Sequence, residues 1–183
     1  LRDENNCGSC GNVCTPPKNY CGQGTCQELL TFSGVKNNFS QAQLAGWNQC
    51  HKDLYRDSGK RISTIKNDCS KGNVLIACKK KGSSTIYAAA HAPRNDVFTD
   101  TGTGDSTHQA NGVEWYFSPD YSWGFAPKGE SVDRNSCDVN QRGDDKRLCW
   151  HTGSGDLQGG WRCGSNTSLN TSSDWVRLIY HAD

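Results

Sequence analysis

The chain contains no methionine, only five prolines in 183 residues, and no apolar run near the roughly 20 residues that a membrane-crossing helix requires. Direct membrane insertion is therefore not expected, and any attachment would come from other sequence. An excess of charge of one sign is also missing. Twenty Lys and Arg against nineteen Asp and Glu give a net charge of +1, without the concentrated positive field that a nucleic acid or an anionic membrane selects. The one basic run, Lys79-Lys80-Lys81, reads as a solvated loop after the strand Val74-Leu75-Ile76-Ala77. Hydrolase motifs are absent too: there is neither a Gly-x-Ser-x-Gly elbow nor a His-Glu-x-x-His pair. With no methionine and an opening Leu1-Arg2-Asp3-Glu4 that lacks an apolar signal region, the chain reads as processed or excised material.

What the chain has in quantity is cysteine, eleven in all. That usage belongs to an oxidising compartment and predicts a secreted, extracellular protein of the cell surface or matrix. Three Asn-x-Ser/Thr acceptors, at Asn38, Asn166 and Asn170, lie in polar, turn-rich stretches and agree with that address. Cys7, Cys10, Cys14, Cys21 and Cys26 form one cluster, while Cys50, Cys69, Cys78, Cys137, Cys149 and Cys163 are spread through the remainder. This divides the chain into a Cys-rich module, 1–27, and a main domain, 32–183. Six cysteines permit a closed set of bridges, whereas five do not. The odd one bridges to the main domain, pairs outside the chain or stays free, and a partner outside is the reading adopted. The first module is too small for an apolar core, so disulfides must take its place. Its Cys7-Gly-Ser-Cys10 element reads as structural rather than redox or zinc-binding, because Gly11-Asn12 and Pro16-Pro17 forbid a following helix.

The string Asn5-Asn6-Cys7-Gly8-Ser9-Cys10-Gly11-Asn12-Val13-Cys14, followed by Cys21-Gly22-x-Gly24-x-Cys26, resembles the small Cys-rich repeat of many microbial and fungal secreted proteins. The resemblance implies further cysteines upstream, with one of them partner to the odd cysteine, and allows self-assembly through this module. In the main domain, Gly46-Trp47-x-x-Cys50, Trp115-Tyr116-Phe117, Arg147-Leu-Cys149-Trp150-His151 and Gly160-Trp161-Arg162-Cys163-Gly164 are similar to secreted domains of microbial surface and matrix proteins. That likeness implies adhesion.

The main domain is long enough for one core. Strands are predicted at Phe32 to Val35, Val74 to Lys79, Thr85 to Ala90, Val113 to Phe117, Trp123 to Ala126, Leu148 to His151 and Val176 to Tyr180, from β-branched and aromatic content. Gly, Ser, Asp and Asn clusters between them supply turns. Helix is limited to Gln41 to Leu44 and Ser63 to Asn67. The fold class expected is mainly β: a disulfide-stapled β-sandwich with a small, loop-dominated Cys-rich module.

Exposed aromatic rings beside polar groups suit sugars, because a flat ring meets the C–H face of a pyranose while neighbours bond its hydroxyls. Tyr116, Asp120, Tyr121 and Trp123, with Arg162, are the candidate ligand-binding residues, and glycans or matrix components the expected partners. Asp96, Asp100 and Asp105 offer oxygen ligands to calcium, although their spacing fits no standard loop; no other cofactor is expected. A catalytic reading draws on His91, His108 or His151 with Asp96, Asp105 or Asp156, and nothing in the spacing unites them. Arg142-Gly143-Asp144 matches an integrin-recognition tripeptide, a short match with little weight. A non-enzymatic adhesion module is the leading expectation; a structural subunit of a glycosylated filament or matrix, and a secreted hydrolase, are the alternatives.

Overall fold

The computed structural model describes residues 5–9, 11–16, 18–22 and 24–183. Its strands are β1 (Tyr20–Gly22), β2 (Thr25–Gln27), β3 (Lys36–Ser40), β4 (Asn48–Leu54), β5 (Lys60–Arg61), β6 (Asn73–Lys80), β7 (Thr85–Pro93), β8 (His108–Ala110), β9 (Val113–Phe117), β10 (Ser122–Pro127), β11 (Leu148–Gly153), β12 (Asp156–Cys163) and β13 (Trp175–Ala182). Two short helices, α1 (Ile62–Asp68) and α2 (Arg94–Val97), and a 3-10 turn at Gln41–Gln43 complete the chain. No helix among the described residues is long and apolar enough to cross a membrane.

The protein is mainly β, as its composition predicts. A five-stranded sheet ordered β3-β7-β6-β13-β4 faces a six-stranded sheet ordered β5-β12-β11-β10-β9-β8, and β1 and β2 form a separate hairpin. Because side chains alternate across a strand, each sheet sends one set inward. The inner set joins small residues of β7, Ala88, Ala90 and Ala92, to the rings of Trp115, Phe117, Trp123, Phe125 and Trp150 on the facing sheet. Large against small is how close packing is reached without voids. On β13, Ile179 points inward, while Val176, Leu178 and Tyr180 point outward, the alternation of a strand with two covered faces.

Both sheets are also covered on their outer faces. Leu29, Leu30, Phe32, Leu44 and Trp47 lie over the five-stranded sheet. Residues 128–147 lie over the six-stranded one, their Val132 and Cys137 packed on Tyr116, Ala126 and Cys149 of the sheet. This second cover is held by buried charge. Arg147 Nη1 donates to Asp138 Oδ2 at 2.9 Å, both side chains are fully buried, and Asp138 Oδ1 accepts the backbone N–H groups of Asp133 and Asn140 at 3.1 and 3.0 Å. Arg162 donates to the carbonyls of Gly164, Asn140, Gln141 and Asp144.

Five disulfides join ten of the eleven cysteines: Cys7–Cys21, Cys14–Cys26, Cys50–Cys69, Cys78–Cys163 and Cys137–Cys149. The six of the main domain close among themselves, and none of these bridges links the two sets. Cys10 lies outside the described residues. Cys78–Cys163 ties β6 to β12 and so staples the two sheets. The hairpin rests on the main domain where Gly46, at φ +84°, lets the Tyr20 ring approach; a Cβ there would come within 2.6 Å of that ring.

Several boundaries differ from expectation. Residues 32–35 form no strand: Gly34 adopts φ +78°, its N–H bonds Asn111 O, and pairing begins at Lys36. Strands β4 and β12 were not foreseen. The first is the polar string Asn48-Gln-Cys-His-Lys-Asp-Leu54, which pairs on one side only. The second is interrupted by Gly159-Gly160, and a Cβ on Gly160 would lie 2.3 Å from the Tyr55 ring.

Candidate functional site

The expected aromatic platform does not form. Tyr116, Trp123 and Arg162 are each 0% exposed. Tyr116 donates from its hydroxyl to Leu148 O at 2.8 Å and lies beneath 128–147, because a strand covered on both faces leaves no solvent side for alternation to supply. Trp123 packs edge-on to Trp150, ring centroids 5.4 Å apart. Tyr121 is half-buried, its hydroxyl donating to Arg134 O with the Arg134 guanidinium 5.1 Å from its ring. Only Asp120 is exposed.

The three calcium candidates are likewise dispersed. Asp96 Oδ1 lies 2.7 Å from His108 Nε2, Asp100 Oδ1 accepts Gly102 N–H at 2.8 Å, and Asp105 Oδ1 accepts Arg134 N–H at 2.7 Å. The one metal-competent grouping among the described residues, Cys7, Cys14 and Cys26, consists of disulfide sulfurs. Of the suggested acid–base pairs, His108 and Asp96 do meet. Among the described residues no hydroxyl or thiol bonds the His108 ring. His151 Nδ1 faces Ser136 O at 3.2 Å and Asp156 holds Arg61. His91 is buried and accepts Phe32 N–H. In the Arg-Gly-Asp string, Asp144 accepts Lys146 N–H and Arg147 Nε at 2.8 and 3.0 Å, so its carboxylate is already committed. Of the glycosylation acceptors, Asn38 and Asn170 are exposed and Asn166 is half-buried, its amide bonding Cys163 O at 3.3 Å.

A cleft of about 340 Å³ opens at one end of the sandwich, where Arg61, Ile62, Ser63 and Lys66 face Phe98, Asp100, Phe117, Pro119 and Gly155. Helix α1 builds one wall. It turns Ile62 and Ile65 into the core, which leaves Ser63 and Lys66, three apart and on one face, at the opening. Ile62 N–H bonds Gly155 O at 3.0 Å, and Cys69–Cys50 pins the far end of the helix. Arg94 ties α2 to α1 by donating to Lys66 O and Cys69 O, at 2.7 and 2.9 Å, a cation on the carbonyls of a helix C-terminus. That link sets Phe98 edge-on to Phe117, at 5.9 Å and 90°.

Lys66 Nζ stands 4.6 Å from the Phe117 ring centroid and 5.0 Å from that of Phe98. Such contacts contribute about 0.5–2 kcal/mol. Among the described residues no carboxylate forms an ion pair with this ammonium. Burial pushes it below its ordinary value; the charge of Arg94 adds to the effect and that of Asp100 opposes it. Arg61 is pre-oriented, with Nε 3.1 Å from Asp156 Oδ1 and Nη1 donating to Ser154 O at 3.0 Å.

The arrangement is an apolar wall with cationic, carboxylate and hydroxyl groups at its rim, and of the earlier candidates only Asp100 belongs to it. Its other residues escaped sequence reading because four distant segments supply them; the sole local signal was Ser63 and Lys66 on one side of a short helix whose other side is Ile62 and Ile65. Comparison with protein-family models, with curated proteins and with solved structures returned no match. The functional reading therefore rests on these residues alone.

Proposed function

We propose that the protein is a secreted, non-enzymatic extracellular module that binds glycans of a surface or matrix, through the cleft between α1 and the Phe98–Phe117 wall. The cleft carries the reading. Its volume of about 340 Å³ falls at the lower end of the roughly 300–1,000 Å³ typical of small-molecule sites, the size of one ring rather than of an extended chain. An apolar wall with a few fixed polar groups at its rim is the composition that holds a sugar ring and reads its hydroxyls. Five disulfides in a chain of this size support an oxidising, extracellular setting, and the exposed Asn38 and Asn170 are open to glycosylation.

A glycan array probed with the intact protein and with Ser63→Trp tests this. Ser63 is exposed at the cleft mouth, so the larger side chain blocks entry without disturbing the core. Retention of a defined glycan set, lost in Ser63→Trp at unchanged melting temperature, is expected. A blank array, or equal retention by both proteins, contradicts the proposal. A structural subunit is the second reading, favoured by the odd cysteine count: ten are paired with one another. Covalent multimers of source-derived material, collapsing to about 20 kDa on reduction, would support it.

A further inference from the structure

Resting on the glycan reading, the rim chemistry of the same cleft narrows the ligand class. Two cations line the opening, and they are not equivalent. Arg61 is matched in charge by Asp156, whose Oδ1 lies 3.1 Å from Nε, and donates Nη1 to Ser154 O, which leaves Nη2 without a hydrogen bond among the described residues. Lys66 is matched by ring faces alone, and an aromatic quadrupole replaces a counter-ion only in part. Asp100 is the sole carboxylate on the rim, and one of its oxygens is committed to Gly102 N–H. The other accepts no hydrogen bond among the described residues and can take one from a hydroxyl.

We infer that the cleft receives a uronic-acid residue of an acidic polysaccharide, its carboxylate reaching Lys66 Nζ and Arg61 Nη2, and its ring against Ile62, Phe98, Phe117 and Pro119. Ser63 Oγ and the second oxygen of Asp100 then bond ring hydroxyls. A single negative charge suits this rim: a dianion such as a phosphate monoester would meet the Asp100 carboxylate at the same opening, where like charges repel. A neutral sugar would leave Lys66 without a better partner than it has now. Because the ammonium is partly removed from water and already positioned between two rings, little ordering cost accompanies its pairing with a carboxylate, the situation in which a charge-assisted hydrogen bond counts most.

The test is calorimetric titration of the full chain with three probes: a β-1,4-linked glucuronate trisaccharide, cellotriose as the neutral sugar of the same linkage, and benzoate as a carboxylate without a sugar ring. The glucuronate should bind about tenfold or more tightly than cellotriose at low salt, the discrimination expected of one charge-assisted hydrogen bond. High salt should narrow that gap, and Lys66→Gln should narrow it too, weakening glucuronate by about tenfold and cellotriose by less. Arg61→Gln, at a largely exposed side chain, is a second variant whose folding is not at stake, and it should weaken glucuronate more than cellotriose. Equal binding of the two trisaccharides would overturn the acid preference and leave the glycan reading intact. Benzoate binding as tightly as glucuronate would overturn the sugar assignment. If neither trisaccharide binds, this inference fails, and the broader reading fails with it only where the glycan array is also blank.

Discussion

Asp138 shows how a single side chain holds a long loop in place. Its carboxylate is fully buried, paired with Arg147 and bonded to two backbone N–H groups, and residues 128–147 fold around it. Removing the carboxylate takes from Arg147 its fully buried counter-charge, leaving Asp144 at 3.0 Å, and strips two backbone N–H groups of their acceptor, so Asp138→Ala should lose about 3 kcal/mol of stability in denaturant titration; a loss under 1 kcal/mol would mean that the loop does not depend on the pair. Acid sensitivity follows from His91. Burial holds its ring below the usual value of 6.5, the Phe32 N–H donated to Nε2 occupies the lone pair that a proton would take, and His151 is lowered by burial in the same way. The unfolded chain therefore binds protons first. The stabilisation is complete above pH 6.5 and is lost as pH falls through the lower folded values. Melting temperature should drop between pH 7 and 5, and His91→Gln should flatten part of that drop. A flat profile in the native chain would contradict this assignment.

The segments best read from sequence were those whose pattern is local. Val113 to Phe117 was matched residue for residue, and Val74 to Lys79 within one residue at each end. Strand β4 escaped because an edge strand needs few apolar residues, and β12 because its paired glycines serve a close approach to Tyr55 that only the folded chain reveals. Exposure was least legible. A five-residue strand such as Val-Glu-Trp-Tyr-Phe, read by alternation, gives Tyr116 to solvent; the cover formed by 128–147 takes it away, and nothing near Tyr116 in sequence signals that cover. The disulfides give a prediction at this scale. Cys78–Cys163 closes a separation of 85 residues and Cys50–Cys69 one of 19. Loop-closure entropy then assigns about 4.5 and about 3 kcal/mol, respectively. Replacing the first pair by alanine should therefore lower stability by about 1 kcal/mol more than replacing the second. The reverse order would mean that α1 depends on its bridge more than the two sheets depend on theirs.

Across the whole molecule, both sheets are buried on both faces, so few large apolar side chains remain for recognition; among the described residues only Val13 is a large hydrophobic side chain in the open. Recognition is left to the ends of the sandwich, where loops and short helices meet, and the cleft beside α1 lies at such an end. The most direct measurement is an amide-resonance titration of the isotope-labelled chain with an acidic oligosaccharide. Shifts confined to Ser63, Lys66, Asp100 and Gly155, saturating with a single affinity, are what this account predicts. Shifts centred instead on Tyr121 and Asp120 or on the N-terminal hairpin, or none at saturating sugar, would contradict it.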